Sequence, residues 1–293
     1  MEGVGLHTGV TVHVRICPAP ANAGIVFKRT DLDNFEIPAQ SRYVARVSYA
    51  TSLMRKGVLI STTEHLLSAL AGVGVDNARI EIDNLEVPIM DGSALPFVKA
   101  LREAGLRPQR ARRLYARVTK SLEIADGAKR IAIHPAEAFR ANYAIAFPHP
   151  VIGAQSLDFS AAGGMYDSQI APARTFGFLA EVEMLLKNGL VKGGSLENVV
   201  VLDHEKVMNP EGLRFPDEFC RHKILDLMGD LSLFGHPLIG HVVAERAGHA
   251  MHAQLVSQLL KQKDAWELTA APEAKPQEPS LSEAELASSG VRA

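Results

Sequence analysis

His222, Asp226 and Asp230 stand four residues apart in the run Arg221-His222-Lys223-Ile224-Leu225-Asp226-Leu227-Met228-Gly229-Asp230, whose apolar positions recur with a helical period. At 3.6 residues per turn His222 and Asp226 stack on one face, and Asp230 continues the row. A neutral imidazole and a carboxylate one turn apart can bite a single divalent cation, much as the two histidines of a helical H-E-x-x-H do. The same spacing also serves surface hydrogen bonds and satisfied core pairs, so a third ligand is needed before it means a metal. Catalytic zinc usually takes three protein ligands and leaves a fourth position to water.

The best source of that ligand is Ile60-Ser61-Thr62-Thr63-Glu64-His65-Leu66-Leu67-Ser68-Ala69-Leu70, where Ser/Thr followed by Glu and an apolar run reads as a helix start. In the first turn the positive end of the helix dipole disfavours imidazolium, which keeps His65 neutral and ready to ligate, and it favours an ionised Glu64. An anionic Glu beside a metal site is a general base. The alternative is a capping box in which Glu64 reaches back to Ser61 and His65 sits on the helix surface.

Gly3-Val4-Gly5-Leu6-His7-Thr8-Gly9, Ile60 to His65, Met90-Asp91-Gly92-Ser93, Ala173-Arg174-Thr175-Phe176-Gly177-Phe178, His222 to Asp226 and Gly248-His249-Ala250 follow one another along the chain. Their identity and order resemble the UDP-3-O-acyl-N-acetylglucosamine deacetylases, the zinc amidases of lipid A biosynthesis in Gram-negative bacteria, from about Gly3 to about Leu268. The resemblance implies that His65, His222 and Asp226 hold Zn²⁺, in accord with the spacing argument, and that Glu64 takes the proton of the attacking water. It further implies an oxyanion-stabilising hydroxyl at Thr175, a charge at Lys223 that helps hold the developing anion, and a general acid or cationic stabiliser at His249. Asp230 would hydrogen-bond and orient that histidine and raise its pKa. Read alone, Thr175 is a capping or turn threonine and Lys223 a solvated helix lysine. His236, His241 and His252 read as ordinary loop or core histidines. Ligation by two His and one Asp would also accept Fe²⁺ or Co²⁺.

The implied substrate is a UDP-glucosamine carrying an O-linked hydroxyacyl chain and the N-acetyl group that is lost as acetate, in the committed step of lipopolysaccharide synthesis. Phe176 and, after it, Leu179, Val182, Val191, Gly194 and Ser195 fall where the family builds its acyl passage, although such spacing alone is more often plain core. Phe147 matches a position that stacks near uracil, and Lys129 and Arg246 match basic positions near the diphosphate. Arg246 replaces an expected lysine, which keeps the charge and changes its geometry. In the family a strand precedes the Gly-Val-Gly-Leu-His motif, whereas here the motif begins at Gly3, so either the start is misplaced or that strand is missing, and its loss would expose a sheet edge.

The elements that must position these residues are legible in outline. Val10 to Ile16, Ala78 to Ile82 and Arg130 to His134 alternate as half-wet strands, and helical periods run over Glu64 to Ala71, Leu95 to Ala104, Phe178 to Asn188, Asp217 to Leu233 and His249 to Lys263. Gly189 fits the C-terminal cap of the third helix. Strands and helices mix without strict alternation, which predicts an α+β fold. The resemblance makes this two related domains, each packing helices on a mainly antiparallel sheet with a small insert, and the active site between them. The basic stretch Gln109 to Arg113 after Pro108 suggests a boundary near residue 112, giving domains over 1–112 and 113–269, and the Pro/Glu/Lys/Ser/Ala-rich segment 270–293 reads as a disordered tail.

With 293 residues, 47% hydrophobic content and a net charge of −2, the chain is long enough for a large core and lacks the basic surface that nucleic acid or anionic lipid would demand. It has neither an apolar run of about 18 residues nor a signal-peptide pattern, so the expected address is the cytoplasm. Cys17 and Cys220 suggest neither a disulfide framework nor a thiolate metal site, and no heptad run suggests an oligomer, so a monomer is expected. A zinc peptidase would share the metal logic without requiring Thr-Phe-Gly and a second histidine. A non-catalytic nucleotide-sugar binder would keep ligand affinity in a Glu64→Gln variant and release no acetate.

Overall fold

The computed structural model describes residues 1–270, so the tail expectation for 271–293 lies outside the described residues. Glu2–Val4 (β1) pairs antiparallel with Thr11–Pro18 (β2), where period-two alternation buries Val12 and Val14 and leaves Thr11, His13 and Arg15 to water. Ile25–Arg29 (β3) and Phe35–Pro38 (β4) form a second antiparallel pair. A small antiparallel sheet, Val44–Arg46 (β5), Ser52–Arg55 (β6) and Val58–Ile60 (β7), precedes the helix Glu64–Val73 (α1). Ala78–Ile82 (β8) then enters the centre of the first sheet, antiparallel to β2 and parallel to β3, and Leu95–Ala104 (α2) follows.

Leu114–Val118 (β9) opens the second half. Leu122–Asp126 (β10), Lys129–His134 (β11), Arg140–Ala146 (β12) and Ala154–Ser160 (β13) again make two antiparallel pairs. After a short helix Tyr166–Gln169 (α3) comes a parallel pair, Phe176–Phe178 (β14) and Val200–Leu202 (β15), with the helix Leu179–Lys187 (α4) between them. The long helix Glu218–Ser232 (α5) leads through Leu238–Ile239 (β16) to His241–Glu245 (β17), which enters the centre of the second sheet antiparallel to β11 and parallel to β12. His249–Lys261 (α6) and Trp266–Ala270 (β18) complete the described chain, with β18 and β16 flanking β9.

The fold is therefore α+β, and its two five-stranded sheets, β1-β2-β8-β3-β4 and β10-β11-β17-β12-β13, share one connection order. In each, a parallel central strand requires a long crossover, and a helix lies on it: α1 before β8 and α5 before β17. These two corresponding helices pack on each other, and one continuous apolar core joins Leu66 and Leu70 of α1 to Leu225 and Leu227 of α5. The stretch read as a linker is tied down: the Gln109 amide donates to the Ala19 carbonyl and accepts from Asn77. All five expected helices are present, with ends differing from the sequence reading by at most two residues.

Candidate active site

The site begins where α1 meets α5. A Cβ on Gly229 of α5 would lie 2.1 Å from the Glu64 carbonyl oxygen, so only glycine lets α5 cross the first turn of α1 this closely. That turn is not closed by a capping box. The Ser61 backbone pairs with Leu85 and Val87, and the helix-start residue Thr63 gives both its N–H and its hydroxyl to the Thr51 carbonyl. Glu64 is left facing inward, buried, with Oε2 accepting the Thr51 N–H at 3.0 Å.

The close crossing brings His65, His222 and Asp226 together. Both imidazoles aim Nε2 at Asp226 Oδ1, at 3.7 Å from His65 and 3.3 Å from His222. Two atoms bound tetrahedrally to zinc at about 2.1 Å lie roughly 3.4 Å apart, so these spacings suit one shared ion. Asp226 Oδ1 is buried without a hydrogen-bond partner among the described residues, an arrangement that costs several kcal/mol unless a cation answers it. The Ala173 carbonyl accepts His222 Nδ1–H at 3.0 Å, which fixes the tautomer and frees Nε2 to ligate. The donor set thus fits zinc.

The charges follow from burial and neighbours. Burial and the nearby His222 push His65 down to about 3, and burial also lowers His222, so both rings are neutral as ligands must be. Burial opposes ionisation of Asp226, but His222 and Lys223 outweigh it and hold the carboxyl well below its usual range. Glu64 departs from expectation: burial, aided by Asp230 and Asp226, raises it to about 8 against the opposing charge of His249. Lys223 is not directed only at solvent. Its Nζ donates to Asp226 Oδ2 at 2.7 Å and lies 5.5 Å from the centre of the Phe176 ring.

One turn beyond Asp226, Asp230 accepts His249 Nδ1–H at 2.7 Å. Burial disfavours the His249 cation, but Asp230 more than offsets this and raises it to about 9, while Asp230 itself sits near 2. The His249 Nε2 edge comes within 4.0 Å of Asp226 Oδ2, so the cationic ring borders the ligand cluster. His252, three residues on, is core rather than a fourth ligand: Nδ1 bonds Asp230 Oδ2 at 2.8 Å and Nε2 lies 3.0 Å from the Tyr143 hydroxyl.

Thr175 is held by its backbone, its N–H donating to the Gly92 carbonyl and its own carbonyl accepting from Val200. The preceding Arg174 is buried against Glu218, in the first turn of α5, whose carboxylate takes the Arg174 N–H and guanidinium and also the Arg214 N–H. The chain 173–175 is thereby fastened to the helix that carries His222 and Asp226.

The substrate-binding candidates fall in three places. Phe176 meets Phe147 edge-on at 5.7 Å and stands 6.5 Å from the His222 ring, adjoining the ligand cluster. Leu179 and Val182 are on α4, a helix without a buried residue, and Val191, Gly194 and Ser195 follow in a loop where Val191 has a φ of +51°. That loop meets the Gly5–Gly9 turn through Lys192 and Gly193 N–H bonds to the His7 and Leu6 carbonyls. Arg246 lines a cleft of about 310 Å³ with Ala144, Ala146, Gln155 and Glu245. Lys129, beside the cleft residue Ala128, is exposed.

Sequence reasoning passed over Thr51, Gly229, Glu218 and Tyr143. None stands in a spacing pattern with the ligands. Only Gly229 carried a signal, a glycine inside a helical run, where it costs about 1 kcal/mol relative to alanine and usually has a packing reason.

Comparison with known proteins places the chain among named relatives. Residues 1–261 match a family described as "LpxC: UDP-3-O-acyl N-acetylglycosamine deacetylase". Proteins named UDP-3-O-acyl-N-acetylglucosamine deacetylase are similar along nearly their whole length: one from Solibacter usitatus is 55% identical, covering 91% of this chain and 90% of its own. Relatives from Myxococcus xanthus and Shewanella denitrificans are 48% and 49% identical, covering 92% and 91% of this chain and 87% and 88% of theirs. A likeness of that degree and extent, joined to the ligand cluster that α1 and α5 build, means that this chain belongs to the UDP-3-O-acyl-N-acetylglucosamine deacetylase family.

Proposed function

We propose that this protein is a zinc-dependent hydrolase that removes the N-acetyl group of a UDP-3-O-(3-hydroxyacyl)-N-acetylglucosamine as acetate, committing the sugar to lipid A synthesis. The observation that carries the reading is the unpartnered, buried Asp226 Oδ1 faced by two neutral imidazoles, with a buried Glu64 and a cationic His249 on its border. His65, His222 and Asp226 would hold a zinc ion, which would supply Lewis-acid polarisation of the amide carbonyl, a lowered pKa for water there and a charge that favours the carboxylate form of Glu64.

Glu64, clamped by the Thr51 N–H, takes the proton of the attacking water. His249, kept cationic by Asp230, gives its Nε2 proton to the departing amine or stabilises the oxyanion, and the Thr175 hydroxyl adds a donor to that anion. Lys223 balances the Asp226 carboxylate. The apolar side chains of α4 and the loop from Val191 to Ser195, with Phe176, would receive the acyl chain, and Phe147, Lys129 and Arg246 the uridine diphosphate. Fe²⁺ would suit the same ligands.

We assign the division between the two repeated units to about residue 112, and a monomer in the cytoplasm as the working state. No described helix is long and apolar enough to cross a membrane. The test is acetate release from the acylated UDP-sugar by untreated, chelator-stripped and zinc-restored protein, alongside His222→Ala and Glu64→Gln. Activity lost on stripping, regained with zinc and absent from both variants is expected. A folded, zinc-loaded protein that binds the UDP-sugar and releases no acetate would make it a binding protein instead.

A further inference from the structure

Asp230 accepts three side-chain hydrogen bonds. Its Oδ2 receives His249 Nδ1–H at 2.7 Å and His252 Nδ1–H at 2.8 Å, and its Oδ1 receives the Thr51 hydroxyl at 2.6 Å. Thr51 is 1% exposed and comes from the loop just ahead of β6, far in sequence from both histidines. Its hydroxyl has one proton, and the 2.6 Å contact commits it to Asp230, so the oxygen presents only lone pairs toward His249 Nδ1 at 3.3 Å. That contact gives His249 Nδ1–H a second, longer acceptor beside the Asp230 carboxylate at 2.7 Å, so the hydroxyl touches both members of the pair.

The same residue holds the other proton-handling group. The Thr51 N–H donates to Glu64 Oε2 at 3.0 Å, and the Thr51 carbonyl is fixed by the N–H and hydroxyl of Thr63, next to Glu64. Glu64 belongs to α1, Asp230 to α5 and His249 to α6, so Thr51 ties together three helices that the chain supplies separately. We propose that Thr51 is a positioning residue that sets the Glu64 carboxylate and the Asp230–His249 pair in register, through its backbone on one side and its hydroxyl on the other.

Buried carboxylates need donors wherever they lie, so a purely structural use of the hydroxyl is the competing account. The two differ in what removal does. Thr51→Val keeps the shape and the N–H to Glu64 but deletes the O–H to Asp230, letting that carboxylate and the ring bound to it turn. Thr51→Ser restores the hydroxyl. Positioning predicts a fall in kcat on the order of 10–100-fold for Thr51→Val at near-constant KM and zinc content, with Thr51→Ser returning to within a few fold of the parent.

The inference rests on the deacetylase reading for that assay, so a second readout does not use activity. In protein labelled with ¹⁵N at histidine, the ring resonances of His249 and His252 should move in Thr51→Val and stay near their parent positions in Thr51→Ser. Thr51→Ala, which also deletes the hydroxyl and keeps the N–H to Glu64, takes the place of the valine protein should that one not fold, and the same pattern is expected of it. A loss of thermal stability with unchanged kcat and unchanged ring resonances would overturn the proposal. Moved resonances in a parent protein without deacetylase activity would sink the functional reading and leave the positioning intact.

Discussion

Replacing Gly229 by alanine tests whether the crossing of α1 and α5 makes the site. The added methyl would stand 2.1 Å from the Glu64 carbonyl oxygen, with the Glu64 carbonyl carbon and Cα next at 2.8 and 3.0 Å. Non-bonded carbon and oxygen keep at least about 3 Å apart, and all three obstacles are backbone, so α5 must withdraw by close to an ångström. Overpacking of this kind costs about 1–3 kcal/mol, which for a chain of this size lowers the melting midpoint by roughly 2–12 °C.

The effect on the site is selective. His222 and Asp226 share α5, so their 3.3 Å spacing survives, whereas the 3.7 Å spacing of His65 and Asp226 spans the two helices and widens past what one ion can bridge. A three-ligand site becomes a two-ligand one. Zinc affinity, read by competition with a chromogenic chelator, should fall on the order of 10–100-fold or more, and acetate release at saturating zinc by about 100-fold. An alanine variant with the parent's melting midpoint and zinc affinity would refute the argument, because it would mean that the crossing can open without cost to the ligands.

Asp230→Asn removes the anion that raises His249 to about 9. Activity that needs the cation is present below that pKa and lost as pH rises through it, so the alkaline limb of kcat/KM should move toward the ordinary imidazole value of about 6.5 in the variant. The same raised pKa means that the pair's stabilisation is full below about pH 6.5 and lost as pH rises through about 9. Thermal melts across that window should therefore decline in the parent and flatten in Asp230→Asn. Arg174→Leu strands the fully buried Glu218 carboxylate, and denaturant titration should show a loss of about 3–5 kcal/mol. Lys223→Gln removes the cation from Asp226 Oδ2 and should lower kcat about tenfold while zinc remains bound, as metal analysis of the purified variant would show.

Some of this protein was decided locally and could be read without a structure. The i,i+4 spacing of His222 and Asp226 follows from helix geometry alone, and the five helices and the strands Ala78–Ile82 and Lys129–His134 follow from apolar periods of 3.6 and 2. The neutrality of His65 was also legible, although burial rather than the helix end is its main cause. Other features needed the folded chain because they arise between residues remote in sequence. The ionisation of Glu64 turned on desolvation, which no local pattern encodes. The shared connection order of the two sheets is carried by pairing rather than by residue identity, so no repeat in the sequence announced it. His65 reaches Asp226 across 161 positions only because Gly229 admits the Glu64 backbone, and Thr51 reaches Asp230 across 179 only because α5 then lies over the loop ahead of β6. Which groups can ligate and titrate was legible from residue types at helical spacing; which of them meet was not, because contact between distant segments depends on how closely two folded backbones can approach.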